Sequence, residues 1–141
     1  YVHVPFCRQA CAYCDFYFVT RQGLQPAFVA ALGQEAALRA PAWRAPFATL
    51  YLGGGTPSRL APPLLAQLLE ALHSHFSFEK NAEITLEANP DDITPAALAH
   101  WRALGVNRLS IGIQSFREED LRWMHRAHTA AQAAGCVRLA R

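Results

Sequence analysis

The sequence has no long apolar run, no basic stripe and no visible secretory leader. None of its hydrophobic stretches approaches the roughly 20 residues that a membrane-spanning helix needs. Its net charge is only +2 and its basic residues are scattered, whereas a nucleic-acid surface needs them clustered. Without a leader that has a basic start and a cleavage site, we expect a cytoplasmic protein. We therefore predict no nucleic-acid partner, and contact with a membrane only through client proteins.

Cysteine is also scarce, with four in 141 residues, but three of the four are crowded together. Cys7, Cys11 and Cys14 follow the spacing C-x3-C-x2-C. Three thiolates suit three corners of a [4Fe–4S] cluster and leave one iron without a protein ligand. Because a small molecule can bind at that open position, the pattern predicts a reaction site.

Other interpretations of the cysteines remain open but fit less well. A structural zinc site wants four protein ligands, and His3, the nearby candidate, lies upstream in a predicted strand. A disulfide framework suits small secreted domains, and a ferredoxin-type carrier needs four cysteines per cluster. Cys136 is remote in sequence and lies in a run of small residues, which favours a buried, inert thiol.

The rest of the chain alternates predicted strands and helices. Apolar residues make up 52 % of the sequence, enough for one folded core. Four strand–helix repeats predict an α/β fold with a parallel sheet and right-handed crossovers. The predicted strands are residues 1–5, 48–52, 83–88 and 108–113. The predicted helices are residues 26–39 and 62–75, one from the Thr94 cap to Gly105, a short one with a Ser115–Glu118 capping box, and one capped by Thr129.

Unusual residues follow each predicted strand directly. They are the cysteines, then Gly53-Gly54-Gly55, then Glu87, then Gln114. Parallel strands place their carboxyl ends on one edge, where ligands of such sheets bind. We therefore expect these features to line one pocket. A carboxylate at that edge can accept the paired hydroxyls of a ribose.

Each of these residues also has an ordinary structural interpretation. A glycine run serves tight turns, Glu87 could be a surface carboxylate, and Gln114 could be a turn residue. The spacing of three between His125 and His128 invites a metal interpretation, but a metal site needs about three ligands, and no carboxylate or cysteine that could be the third is nearby. The tryptophans and the aromatic residues 16–18 are more often packing residues than ligand contacts.

Together the motifs resemble the radical S-adenosylmethionine (SAM) superfamily. The resemblance depends on the C-x3-C-x2-C loop after the first strand and on Gly-Gly-Gly-Thr-Pro after the second. More narrowly, the chain is similar throughout to the oxygen-independent coproporphyrinogen III oxidase-like group. The segments that match are residues 1–7, 13–16, 51–57, 86–90 and 107–116.

This resemblance implies a partial (β/α)6 TIM-like barrel, of which residues 1–141 supply about the first four βα units. The rest of the barrel and a C-terminal domain are expected outside residues 1–141. The resemblance also implies that Cys7, Cys11 and Cys14 ligate the cluster and that SAM binds the open iron. In an enzyme of this class, one electron from the cluster cleaves SAM, and the adenosyl radical abstracts hydrogen. The positions that match SAM contacts are Tyr1, Tyr13, Gly54, Gly55, Thr56, Glu87, Gln114 and Arg126.

The group divides into two functions. The oxidase decarboxylates two propionates of coproporphyrinogen III, and its loop typically carries a further cysteine two residues after the third. Here Phe16 stands at that position, which is similar to the haem-chaperone (HemW-type) branch, whose members pass haem to client proteins. The resemblance favours a haem chaperone over the oxidase, and a radical enzyme with another substrate is a third hypothesis. Haem or porphyrin, client proteins and an electron donor are the implied partners.

Overall fold

A computed structural model describes all 141 residues, and its four strands form one parallel sheet in the order β1-β2-β3-β4. The parallel α/β architecture predicted from the alternating pattern is confirmed. The strands are β1 (Val2–Val4), β2 (Phe47–Gly54), β3 (Phe78–Ala88) and β4 (Arg108–Ile111). The helices are α1 (Gln25–Arg39), α2 (Pro62–His75), α3 (Pro95–Ala103), α4 (Glu118–Trp123) and α5 (Ala130–Leu139). Short 3-10 turns occupy Gln22–Leu24, Ala40–Ala42, Pro57–Arg59 and Pro90–Asp92.

The two faces of the sheet differ in polarity because side chains alternate along each strand. Leu52 of β2 and Leu86 of β3 are fully buried and pair with each other across the sheet. They pack with the apolar side of α2, where Leu65 and Leu68 are also buried. The opposite face carries polar and aromatic side chains, including Tyr1, His3, Tyr51, Thr85, Glu87, Arg108 and Ser110.

Helix ends follow the predicted signals at three places. The Thr94 hydroxyl accepts a hydrogen bond from the N–H of Ala97 at 3.1 Å, so it caps α3. The Thr129 side chain caps α5 in a complete capping box with Gln132. Gly105 follows α3 with a φ of +91°, a conformation that favours glycine at a helix end.

Strand boundaries differ from the prediction by more than one residue at three places. β2 ends at Gly54 instead of residue 52. β3 begins at Phe78 instead of residue 83, and β4 ends at Ile111 instead of residue 113. The early part of β3 is polar and exposed, so it carries no alternation signal, but Phe78 pairs with Phe47 of β2. Gln114 has a φ of +64°, and the chain has left the extended conformation there.

The predicted capping box between Ser115 and Glu118 is wrong. α4 begins at Glu118, so Ser115 lies two residues before the Arg117 N-cap and cannot cap the helix. The Ser115 hydroxyl instead donates to the Asp120 carboxylate at 2.7 Å and accepts from the Arg117 N–H. The Glu118 carboxylate accepts from the N–H of Ala130, which links α4 to the start of α5.

None of the helices combines the length and apolar character that crossing a membrane requires. The sheet is open at both sides, because β1 pairs only with β2 and β4 pairs only with β3. Each outer strand therefore presents unpaired backbone N–H and C=O groups along one edge.

We expect residues 1–141, produced alone, to aggregate and to be inactive, because unpaired parallel edges recruit strands of other molecules. Size-exclusion chromatography with light scattering checks the first expectation. A longer version that continues past β4 is the control and should contain less aggregate. A monomeric sample of residues 1–141 that unfolds cooperatively would contradict the prediction.

Candidate functional site

The features that follow the four strands do line one cavity at the carboxyl end of the sheet. Its volume is about 350 Å³, within the range of ligand-binding sites. The three clustered cysteines line it, as do seven of the eight positions named above for SAM. Those seven are Tyr13, Gly54, Gly55, Thr56, Glu87, Gln114 and Arg126.

Backbone hydrogen bonds fasten the base of the cysteine loop to the end of β1. The N–H of Cys7 donates to the carbonyl of Val19 at 2.9 Å, and the N–H of Val19 donates to the carbonyl of Pro5 at 2.8 Å. The Arg8 guanidinium forms an ion pair at 3.1 Å with Asp91, whose side chain is nearly buried. These contacts hold the loop against the segment after β3.

The three thiols of this loop are free, half-buried and directed toward the same cavity. Cys7 Sγ lies 3.6 Å from the Thr56 hydroxyl, and burial raises the pKa of the Cys7 thiol. Arg126 donates toward Cys11 Sγ at 3.5 Å. No three His, Cys, Asp or Glu side chains lie close enough to hold a single metal ion. Three separated thiols at one cavity fit a cluster, in which each cysteine binds a different iron.

The Gly53-Gly54-Gly55 run is glycine because a Cβ would collide with a different neighbour at each position. At Gly53 it would lie 2.7 Å from the Tyr51 ring, and at Gly54 2.5 Å from the His3 ring. At Gly55 it would lie 2.6 Å from the carbonyl of Pro5. Gly54 also has a φ of +114°, which side chains disfavour. The run lets β1, the cysteine loop and β3 approach β2 closely.

Glu87 is an interior carboxylate and not a surface one. It is half-buried at the end of β3, with the Tyr51 hydroxyl donating to Oε1 at 2.7 Å and the Gly54 N–H donating to Oε2 at 3.0 Å. Two donors hold the carboxylate at the cavity wall. It is therefore an oriented acceptor, as a group that binds ligand hydroxyls needs to be.

Arg126 connects the cysteine loop to the ends of β3 and β4. Its guanidinium donates to the Tyr13 hydroxyl at 3.3 Å, to Asn89 Oδ1 at 2.6 Å and to the carbonyl of Gly112 at 2.8 Å. Its buried Nε has no partner. Because the guanidinium lines the cavity, its positive charge favours a ligand with an anionic group. Asn89 is absent from the predicted contacts, and only its place directly after β3 could have indicated this role.

Tyr1 and Gln114 are two predicted SAM contacts with exposed side chains. Tyr1 is 74 % exposed and lies outside the cavity, with its ring stacked on Tyr51 at a centroid distance of 6.0 Å. Gln114 lines the cavity from an exposed position just after β4.

The sequence also predicts a role or an environment for two histidines, for Cys136 and for the aromatic residues after the cysteines. His128 is buried, with Nε2 bonded to the carbonyl of Ile113 at 3.0 Å, whereas His125 is exposed, so the two do not form a metal pair. Cys136 is buried, as predicted, and burial raises the pKa of its thiol. Phe16 and Tyr17 are 70 % and 72 % exposed, so the expectation that they are packing residues is wrong.

Comparison with known proteins gives similarity over the whole chain. The sequence profile of the radical SAM superfamily matches residues 1–141. A protein named heme chaperone HemW from Mycobacterium tuberculosis is 41 % identical over 97 % of this chain and 36 % of its own length. The oxygen-independent coproporphyrinogen III oxidase of Escherichia coli is 40 % identical over 89 % of this chain and 28 % of its own length.

Among solved structures, the coproporphyrinogen III oxidase HemN of Escherichia coli, described as a radical SAM enzyme, is similar with a TM-score of 0.92. The two are 34 % identical, and the match covers 99 % of this chain and 33 % of that one. The chain therefore spans about a third of the length of the relatives it matches.

Replacing Gly55 by alanine should loosen the cysteine loop, because the new Cβ would meet the Pro5 backbone, which cannot rotate away. We expect a loss of about 1–3 kcal/mol in the free energy of unfolding, as overpacking usually costs. In the metal-free protein, iodoacetamide should also modify Cys7 faster. Gly23→Ala is the matched control, since a Cβ there meets nothing within 4 Å. Equal melting temperatures and equal Cys7 modification in the two variants would contradict this account.

His128 should make the protein less stable in acid. Burial lowers the pKa of His128 below its ordinary value of 6.5. As the pH falls, His128 therefore takes up a proton in the unfolded chain at a higher pH than in the folded one. The folded state has its full stability above about pH 6.5 and loses stability as the pH falls through the unfolded and then the folded pKa of His128. Melting temperatures between pH 8 and pH 5 check this. The variant His128→Gln, which keeps an amide donor for Ile113, should show a smaller decrease, and an identical decrease would disprove the assignment.

Proposed function

The chain belongs to the radical SAM superfamily, and from this we propose that it is the N-terminal part of a longer protein that binds a [4Fe–4S] cluster and SAM in the cavity described. The superfamily itself implies the cluster and SAM. The four βα units are part of a radical SAM barrel, as the motifs predicted. The observation that carries the proposal is the convergence of three free thiols, a glycine cradle, an oriented carboxylate and an arginine on one cavity.

We assign a role to each group from its chemistry. Cys7, Cys11 and Cys14 would hold the cluster, which supplies one electron for cleavage of bound SAM. Glu87 would accept ribose hydroxyls, because both of its oxygens are already oriented by donors. Arg126 would attract an anionic group through the charge of its guanidinium, which lines the cavity. Gly54, Gly55 and Thr56 would present backbone to the ligand, with Tyr13 and Gln114 at its sides and Tyr1 supporting the wall from outside.

For the whole protein we propose haem chaperoning, in which haem is bound and passed to client proteins. The observation that favours this over the oxidase is Phe16, which lines the cavity at the position where the oxidase typically has a further cysteine. A phenyl side chain that is 70 % exposed offers apolar surface to a flat macrocycle, and it cannot supply a thiol. The two named relatives are almost equally similar to the chain, so overall identity does not separate the functions.

The oxygen-independent coproporphyrinogen III oxidase is the second candidate. The likeness in structure to HemN and the shared cysteine loop support it. In this proposal haem-accepting clients are partners of the chaperone, and an electron donor to the cluster is a partner of either whole protein.

The decisive experiment uses the full-length protein with its cluster rebuilt under anaerobic conditions. We expect SAM to bind, haemin to produce a shifted absorption band, and coproporphyrinogen III with reductant to give no decarboxylated porphyrin by chromatography. The Escherichia coli oxidase under the same conditions is the positive control. Repeated turnover by this protein would replace the chaperone proposal with the oxidase.

The variant Phe16→Cys tests whether this single position separates the functions. We expect it to remain without oxidase activity, because a thiol alone does not create a substrate pocket. Oxidase activity in Phe16→Cys would mean that the rest of the pocket is already an oxidase pocket. Failure of the wild-type cluster to bind SAM would refute the site assignment itself.

A further inference from the structure

We propose that Tyr51 is a positioning residue that fixes the Glu87 carboxylate for the ribose of the bound nucleoside. The inference deepens the proposed function and depends on its assignment of Glu87. Tyr51 does not line the cavity, whereas Glu87 does. Tyr51 can therefore influence a ligand there only through the side chains that its hydroxyl contacts, which are Glu87 and the Ser110 hydroxyl beside it.

The Glu87 carboxylate is held at both oxygens from the side of β2. The Tyr51 hydroxyl donates to Oε1 at 2.7 Å and the Gly54 N–H donates to Oε2 at 3.0 Å. An ionised carboxylate has about four acceptor positions, two on each oxygen. One position on each oxygen is thus occupied, and one on each stays free. Two vicinal hydroxyls of a ribose need one free position on each oxygen.

Tyr51 is itself fixed by its neighbours. Its ring stacks on Tyr1 with an interplanar angle of 25°. A Cβ at Gly53 would lie 2.7 Å from the Tyr51 ring and 3.1 Å from the Glu87 carboxyl carbon, so both side chains pack over that glycine. The phenol is therefore placed by packing before any ligand arrives. A preorganised donor costs little further ordering when the ligand binds.

The register of the sheet explains why this pair forms. Tyr51 pairs with Thr85, and Glu87 lies two residues farther along β3 on the same face. A long phenol can reach diagonally to that carboxylate, whereas phenylalanine at the same position would keep the ring packing and lose the bond. Tyr51→Phe therefore keeps the ring packing and removes only the bonds of the hydroxyl, to Glu87 and to Ser110.

The test is calorimetric binding to the full-length protein with its cluster rebuilt, using S-adenosylhomocysteine and, separately, L-methionine, which has no ribose. We expect Tyr51→Phe to weaken S-adenosylhomocysteine binding about tenfold, as loss of one bond to a charged group does. L-methionine binding should stay unchanged. Tyr17→Phe is the matched control, because that side chain is exposed and lies outside the cavity.

A double-mutant cycle with Glu87→Ala separates positioning from general structural damage, because alanine offers no acceptor to the Tyr51 hydroxyl. If Tyr51 acts through Glu87, adding Tyr51→Phe to Glu87→Ala should change S-adenosylhomocysteine affinity less than twofold. Additive losses, an equal loss for L-methionine, or no loss in Tyr51→Phe would overturn the inference. If the wild type does not bind S-adenosylhomocysteine, or if Glu87→Ala has no effect, the proposed role of Glu87 fails as well.

Discussion

The parallel register between β2 and β3 is the constraint on which the site depends. Leu52 pairs with Leu86, which keeps the aliphatic side chains on the helix face, and Tyr51 and Glu87 then share the opposite face. Because the side-chain period is two, a slip of one residue would bury the carboxylate and expose the leucines. The core leucines therefore set the position of Glu87, although they contact no ligand. Packing energy and site geometry are determined by the same pairing.

The cysteine loop depends on contacts that are distant in sequence. Arg126 reaches Cys11 and Tyr13 from the far end of the chain, and it is anchored on Asn89 and the carbonyl of Gly112. A second anchor joins the turn after β2 to the segment after β3, where Ser58 and Arg59 both bond the nearly buried Asp92. The loop that carries the thiols is thus shaped by elements that follow every strand.

The sequence predicts the parts of this arrangement that arise from local patterns. The alternation of Ile84, Leu86 and Glu87, the Thr94 and Thr129 caps, and the residues that follow each strand indicate the sheet and its active edge. Three other features depend on tertiary placement, which no local sequence pattern predicts. They are the partners of Arg126, the diagonal bond from Tyr51 to Glu87 and the exposure of Phe16. Ser115 shows the same limit, because the capping signal is present but the helix begins too late to use it. Local signals identify the elements, and packing decides which side chains meet.

The three glycines after β2 have a consequence for how the sequence can diverge. Each is confined by different neighbours: Tyr1, Tyr51 and Glu87 at Gly53, His3 at Gly54, and Pro5 with Cys7 at Gly55. No single replacement at these positions fits unless residues on another strand or in the loop change with it. Divergence here would have to proceed by paired substitutions across β1, β2 and β3. Substitutions in this short run are therefore tied to substitutions in segments as far apart in the chain as Tyr1 and Glu87.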